Sequence, residues 1–307
     1  MTIFELALFH AINLLAIPLM LAGVVRKVKA RMQMRIGAPV LQAFHDLAKL
    51  LRKTETISEN ASWVFIWAPR VGFAVAVILT VLVPWAGSLL PAAWAPASNF
   101  VFVLYLLALS RFLSLLAALD TGSAFGGLGA SREAMISVLV EPTLLIGLAA
   151  LAVHTGSADL QTMFGLITSP MVAILVGVAL LLASLAELSR MPIDDPTTHL
   201  ELTMVHEAMI LENSGPNLFL IEYGTALRMC VFLGLSCQAF LSAVPGFRET
   251  PLAVQYATGV LSLFALGIAM AVAEGIGVKL KWRSVPNFLA FAAASSFLAA
   301  LIAAAER

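Results

Sequence analysis

The chain has 307 residues, of which 61% are hydrophobic and only 12% charged, with equal numbers of acids and bases. A mean hydropathy of +0.96 and a charged fraction well below the ~25% of soluble domains exclude a water-soluble globular protein and imply an integral membrane protein. Zero net charge argues against a nucleic-acid partner, which needs a basic surface.

A spanning helix needs ~20 mostly apolar residues. Eight segments qualify, near 3–25, 64–90, 98–119, 134–153, 170–189, 217–243, 252–274 and 285–304. The expected fold class is therefore all-α: one membrane domain over 1–307, a bundle of about eight transmembrane helices. Runs such as MVAILVGVALLLASLA show no alternation, as expected of helices apolar all round, and exclude a transmembrane barrel. The N-terminus lacks a basic stretch followed by a small-residue cleavage site, so the first run reads as a retained helix. Cys230 and Cys237 share one apolar segment at a spacing that suits neither zinc nor a disulfide framework, and read as small buried residues.

The first loop, 26–63, holds Arg26, Lys27, Lys29, Arg31, Arg35, Lys49, Arg52 and Lys53, and the loop after span seven adds Lys279, Lys281 and Arg283. The alternate side has only Arg248 and Arg307. The positive-inside rule then places the first loop, the Asp120–Arg132 loop, the central loop (187–217) and the Lys279 loop in the cytoplasm, with both termini outside. Within the first loop, VLQAFHDLAKLLRK sets Val40, Leu41, Phe44, Leu47, Ala48 and Leu51 at helical spacing. His45, Asp46, Lys49, Arg52 and Lys53 take the other face. This is an interfacial amphipathic helix, suited to anionic headgroups and, compatibly, to forming one wall of a docking surface for a cytoplasmic partner.

LDTGSAFGGLGASRE, from Leu119 to Glu133, is rich in glycine, which permits close approach of another backbone. It lacks the lysine of a phosphate loop and follows no strand. It reads as a short loop folded under a partner, with Asp120, Gly126, Gly127 and Arg132 at the contact and Ser131 or a neighbour capping span four.

Several charges fall in or at the edge of spans, among them Arg111, Glu141, Glu187, Glu222, Arg228 and Glu274. Glu141 is followed by Pro142, which removes a backbone donor and should bend the helix beside this carboxylate. An acid at such a kink suits a hydrated pocket in a proton relay; the alternative is a structural ion pair with Arg111 or Arg228.

The densest stretch is Glu187 to Gly215, ELSRMPIDDPTTHLELTMVHEAMILENSG. Charge beside apolar spans is costly unless paired or hydrated, so this cluster is a functional candidate; the alternative is a solvated loop. Pro192 and Pro196 should end span five in an irregular turn bearing Asp194 and Asp195. Helical continuation from Thr197 would put Glu201 and Glu212 on one face, and His199 and His206 on another. The HLELTMVHE run also invites a metal reading, but no thiolate supports it and the metalloprotease spacing is absent.

Taken together, VRKVKARMQMRIGAP, LQAFHDLAKLL, ELSRMPID and LENSGP resemble the membrane subunit shared by respiratory complex I (its subunit 1) and the membrane-bound nickel-iron hydrogenases. Arg26, Lys27, Arg31, Met32, Gln33, Arg35, Gly37 and Pro39 match the family's basic turn, and Asp46 and Lys49 its amphipathic helix. LDTGSAFGGLGASREAMISVLVEP is similar to the formate hydrogenlyase and hydrogenase 4 group in particular. The resemblance implies an eight-helix subunit on which a peripheral electron-transfer arm stands, in the bacterial cytoplasmic (inner) membrane. Glu141, Glu187, Arg190, Asp194, Glu201 and Glu212 match family positions in a proton-coupling path, while Arg31, Arg35, Asp46 and Lys49 fall on the docking surface. Thr197, Thr198 and His199 replace the usual Glu-Ala-Glu, His206 and Glu207 are added, and Val25 stands where complex I has a glutamate. These departures weaken a quinone chamber, yet a path rewritten partly in His199 and His206 retains groups that ordinarily titrate near neutrality.

The reading is a membrane-anchoring and coupling subunit of a hydrogenase-like complex, not itself a redox catalyst. Two cysteines cannot supply the four thiolates of an iron-sulfur cluster, so no cofactor is assigned to this chain. Iron-sulfur clusters and any nickel-iron site belong to partners: hydrogenase-like large and small subunits and an iron-sulfur subunit, beside antiporter-like membrane subunits. A quinone-site subunit of a complex I-like oxidoreductase is the alternative. A stand-alone ion transporter is the weaker one, since repeats and matching broken helices are not seen.

Overall fold

The computed structural model describes residues 3–85, 96–194 and 205–306, with side chains from Leu8 onward. The described chain is helical: α1 (Ile3–Leu15), α2 (Ile17–Met32), α3 (Gln42–Leu51), α4 (Trp63–Leu82), α5 (Phe100–Asp120), α6 (Ala124–Thr155), α7 (Leu160–Leu166), α8 (Pro170–Glu187), α9 (His206–Ile210), α10 (Gly215–Ser242), α11 (Leu252–Ile276) and α12 (Val285–Ala305). Among the described residues, eight spans are long and apolar enough to cross a membrane, the number expected. An isolated bridge pairs Asn99 with Asp159.

α10 is the hub, packing against α2, α3, α4, α8 and α11. Its run Met229–Ala239 is buried throughout, and Cys230 and Cys237 lie there as free, buried thiols. Around it, α6 packs on α5, α8 and α12, and α11 on α2.

Span one departs from the single expected helix. Pro18 cannot donate to the Leu14 carbonyl, so the ladder opens near Ala16 and α1 and α2 are separate. The Tyr223 hydroxyl donates to that orphaned carbonyl at 2.7 Å. Tyr256 likewise donates to Asn13 Oδ1 at 2.7 Å. Two aromatic hydroxyls thus hold a break that proline creates.

Span four departs more. The glycine-rich stretch expected as a loop is the first turns of α6, which starts ten residues before the expected boundary, 134. The cap is Ser123, whose Oγ accepts from Gly126 N at 3.1 Å. Ser131 is instead inside the helix and donates to the Leu128 carbonyl. Glycine is a poor helix former, but here small size is what packing demands: a side chain at Gly129 would lie 2.7 Å from the Val205 carbonyl. The helix runs unbroken through Pro142.

Span five ends before either proline. Arg190 N donates to Leu185 O and Ser189 N to Ala186 O, with Ser189 at φ 47, so a left-handed serine closes α8 in the way glycine usually does. Pro192 follows in the turn, its peptide with Met191 cis.

Candidate functional site

The expected amphipathic helix is α3, but its buried side is Ala43 and Leu47, with Phe44 and Leu50 partly covered. Leu41, Ala48 and Leu51, expected on that face, are exposed. Before it, Arg31 through Pro39 form an exposed turn containing Arg35, with Met34 96% and Ile36 85% accessible.

The charged spans converge on Arg111 of α5. Its side chain is 8% exposed and ion-pairs with Glu187 at the end of α8, with Glu133 of α6 at 3.4 Å and with Glu141 of α6 at 3.8 Å. Glu133 and Glu141 are eight residues apart, about 80° around an ideal helix. One arginine can therefore serve both while they face different ways. Glu133 is buried; Glu141 is 48% exposed. Glu141 makes the ion pair with Arg111 that was the alternative to a relay, and it lines a groove of about 440 Å³ on the outside of the bundle, walled by apolar residues of α5 and α6 and reaching back to Arg111 and Glu187.

Inside, Arg111, Glu133, Glu187, Ser114, His206 and Arg228 line a cavity of about 30 Å³. A neighbouring one of about 40 Å³ shares Ser114, His206 and Arg228. A water needs roughly 10–15 Å³ of such space. Each can hold water among polar groups, and Glu133 Oε2 and Arg111 Nη1 have no protein hydrogen bond there.

A second set of charges lies around the turn after α8. Glu274 of α11 pairs with Lys29 at 3.4 Å and Arg190 at 3.5 Å. Asp194 is 1% exposed; it accepts from Lys279 Nζ at 2.7 Å and, through its other oxygen, from Val205 N at 3.1 Å and His206 N at 3.4 Å. Arg190, three residues after Glu187 in the chain, thus serves Glu274, whereas Glu187 takes Arg111.

His206 joins the two sets, its backbone on Asp194 and its ring in the cavity. Burial, then the charge of Arg228, pushes its imidazole down to about 4, with Asp194 opposing and Arg190 adding to the fall. It is neutral at pH 7, contrary to the expectation of titration near neutrality. α9 stops at Ile210, so Glu212 lies beyond the helix, exposed and apart from both sets. Asp195, His199 and Glu201, and with them the metal reading of the HLELTMVHE run, fall outside the described residues.

Several expected docking residues have other contacts. Asp120 Oδ2 accepts from Ser62 N at 2.7 Å and Phe65 N at 3.2 Å, capping α4. Gly126 is buried, and a side chain there would meet the Ala118 carbonyl at 2.6 Å; Gly127 has nothing within 4 Å. Arg132 stacks on Trp282, 5.6 Å from the ring centre. Asp46 shares Arg26 with Glu222.

Sequence reasoning missed Glu133, which the late start assigned to α6 left in a loop, and used Lys29 and Lys279 only as orientation signals. Glu274 was visible as an intramembrane charge without a partner assigned, and of the two arginines considered for Glu141 the structure pairs Arg111, not Arg228, with it. An i, i+8 relation between Glu133 and Glu141 was the available signal.

The family model described as NADH dehydrogenase matches residues 4–305. The chain belongs to that family. It is 32% identical to Hydrogenase-4 component C of Escherichia coli (strain K12), over 76% of this chain and 74% of that protein. It is likewise 32% identical to Formate hydrogenlyase subunit 4 of the same organism, over 76% of each chain. A subunit of the NADH-quinone oxidoreductase of Granulibacter bethesdensis is 31% identical, over 74% of this chain and 68% of that one. The fold is that of a chain in the membrane-bound sulfane sulfur reductase, an archaeal respiratory membrane complex, with a TM-score of 0.81 at 18% identity and coverage of 98% and 99%. The sequence relatives are each a component or subunit of a larger enzyme, and the structural neighbour is part of a respiratory membrane complex.

Proposed function

We propose that this chain is the membrane-anchoring and coupling subunit of a complex I-related, nickel-iron hydrogenase-like complex of the formate hydrogenlyase or hydrogenase 4 type. Its basic end, carrying the Arg31–Pro39 turn, α3 and α9, faces the cytoplasm and holds the peripheral arm, with both termini outside. The redox centres belong to the arm.

The observation that carries the reading is a series of ionisable residues from Asp194 at the basic end, which accepts from the His206 backbone N–H, through the cavity that His206 lines with Glu133, Glu187 and Arg111, and out to Glu141 in a lateral groove. Such groups are retained at membrane depth mainly for ion paths. Neutral His206 has one donor and one acceptor nitrogen, so it can pass a proton by exchanging tautomers. Glu141, open to the side, can exchange with an antiporter-like neighbour.

The test is redox-driven proton uptake in vesicles holding the complex. Glu141→Gln or Glu187→Gln should keep the subunits together while lowering uptake by about tenfold, equivalent to ~1.4 kcal/mol of barrier. Glu274→Gln, outside the line, should leave uptake near wild type. Normal uptake in both of the first variants rejects the relay; loss of assembly in both makes those acids structural.

A further inference from the structure

The outward side of α4 carries a cation that the described chain does not answer. Trp63 (72% accessible), Trp67 (56%), Arg70, Ala74 and Ile78 are exposed three or four residues apart, so they form one stripe, away from the buried Phe65, Ala68 and Ala76. Arg70 makes no ion pair among the described residues. Its guanidinium is nonetheless held in place: Nη1 donates to the Ile66 carbonyl at 2.9 Å, and the group lies over the Trp67 ring, 5.7 Å from its centre. The side chain thus folds back one turn toward the basic end.

The depth of this cation follows from the helix. α4 has 20 residues, about 30 Å at 1.5 Å per residue, which matches the hydrocarbon thickness of a bilayer. Trp63 therefore stands at one boundary. That start is fixed, because Ser62 Oγ accepts from Val64 N at 3.2 Å and Asp120 accepts from Ser62 N and Phe65 N. Arg70 lies seven residues further on, and its return to Ile66 brings the guanidinium back toward headgroup depth, beside two indoles of the kind that gather there. Ala74 and Ile78 continue the stripe toward the membrane centre without charge.

Two occupants can answer such a cation, a carboxylate on a neighbouring helix or a lipid phosphate. Helices approach one another in membranes through small residues, whereas this stripe presents two tryptophans and an arginine, and Gly72 is turned toward Ser110. The order along the stripe, charge at the boundary and apolar surface beyond, is that of a lipid. A planar guanidinium resting on an aromatic face also suits the paired oxygens of a phosphodiester. We propose that the Trp63–Trp67–Arg70 stripe binds one anionic phospholipid, with the phosphate on Arg70 and an acyl chain along Ala74 and Ile78. A zwitterionic lipid offers the same phosphate but brings a second cation beside Arg70, so it binds less well.

Native mass spectrometry tests this on the chain purified in mild detergent with the subunits that accompany it, titrated with micelles doped with phosphatidylglycerol or phosphatidylcholine. Arg70→Gln should shift the binding of one phosphatidylglycerol by about tenfold and leave phosphatidylcholine nearly unchanged. Arg70→Lys, which keeps the charge but loses the planar fork, should fall between wild type and Arg70→Gln. Both changes are at an exposed side chain off the packed face of α4, so folding is retained. An undiminished phosphatidylglycerol adduct in Arg70→Gln, or equal losses for the two lipids, overturns the proposal. So does release of an accompanying subunit from Arg70→Gln while the lipid count stays the same, which gives Arg70 to a carboxylate of that subunit.

Discussion

The two buried sets of charge are built with opposite arithmetic. Around Arg111, the carboxylates of Glu133, Glu141 and Glu187 meet two guanidiniums, those of Arg111 and Arg228. Around the turn after α8, Glu274 and Asp194 meet three cations, Lys29, Arg190 and Lys279. The first set has one acid in excess, the second one base. Fully ionised, the first carries a surplus negative charge that a single proton would neutralise, and it has cavities large enough for water. The second holds each acid against at least one cation within 3.5 Å. The difference teaches that being an acid at membrane depth does not by itself define a site, and that the count of nearby cations separates the two sets.

The strongest way to break that comparison is to remove one cation from each set. Arg111→Met strands three carboxylates, two of them buried, and should cost about 3–5 kcal/mol, the range for orphaning a buried charge. Arg190→Met leaves Glu274 with Lys29, so the expected loss is the smaller ~1.5–3 kcal/mol of a charged hydrogen bond. Thermal unfolding of the purified chain in detergent measures both. Arg111→Met/Glu187→Gln should recover part of the first loss, since one fewer acid is stranded. Equal losses in the two single variants would show that the asymmetry has no energetic content.

The eight spans were legible because a 20-residue apolar window leaves few alternatives in a chain this oily. What packs against what was not. The break at Ala16 had a local cause in Pro18, but the group that stabilises it, the Tyr223 hydroxyl, lies 209 residues away in sequence. The helical start of α6 was hidden because glycine argues against helix locally, whereas contact with Ala118 and Val205 requires small residues there. Acids were findable from the cost of burying them. Their counter-ions were findable only in part: Arg111 was an open alternative for Glu141, whereas nothing local pairs Arg190 with Glu274. A charge facing outward is expensive; Glu141 is tolerated there because Arg111 reaches it from within.

His206 sits between the two sets and reports the field of both. Its imidazole is held down to about 4 by burial and by Arg228, while an unfolded histidine titrates near 6.5. The unfolded chain therefore binds the proton first as pH falls. Stability contributed by the neutral ring is complete above about 6.5 and is lost progressively toward 4, about 2 kcal/mol of it between pH 6.5 and 5. His206→Gln keeps a polar side chain without a titration and should flatten unfolding over this window. An equally steep variant would assign the acid sensitivity to other groups and weaken the view that Arg228 keeps the junction positive.

The smallest effect on the folded chain, and the most local, is expected at the start of α6, the helix that carries Glu133 and Glu141 to Arg111. Two adjacent glycines there differ in what surrounds them: Gly126 is packed against the Ala118 carbonyl and Ser123 Oγ, whereas Gly127 faces open space. Gly126→Trp must displace backbone, so it should lower the melting temperature and disturb the Arg111 set together with its helix. Gly127→Trp adds the same bulk outward, and should melt like wild type. If the arm docks over this end of α6, the outward tryptophan excludes it, and gel filtration should separate soluble subunits from an intact membrane chain. A complex that survives Gly127→Trp would move docking away from α6 and toward the exposed Arg31–Pro39 turn, with its accessible Met34 and Ile36. The proton line would then meet the arm nearer the base-rich set, and the acid-rich set would serve only the lateral exit at Glu141.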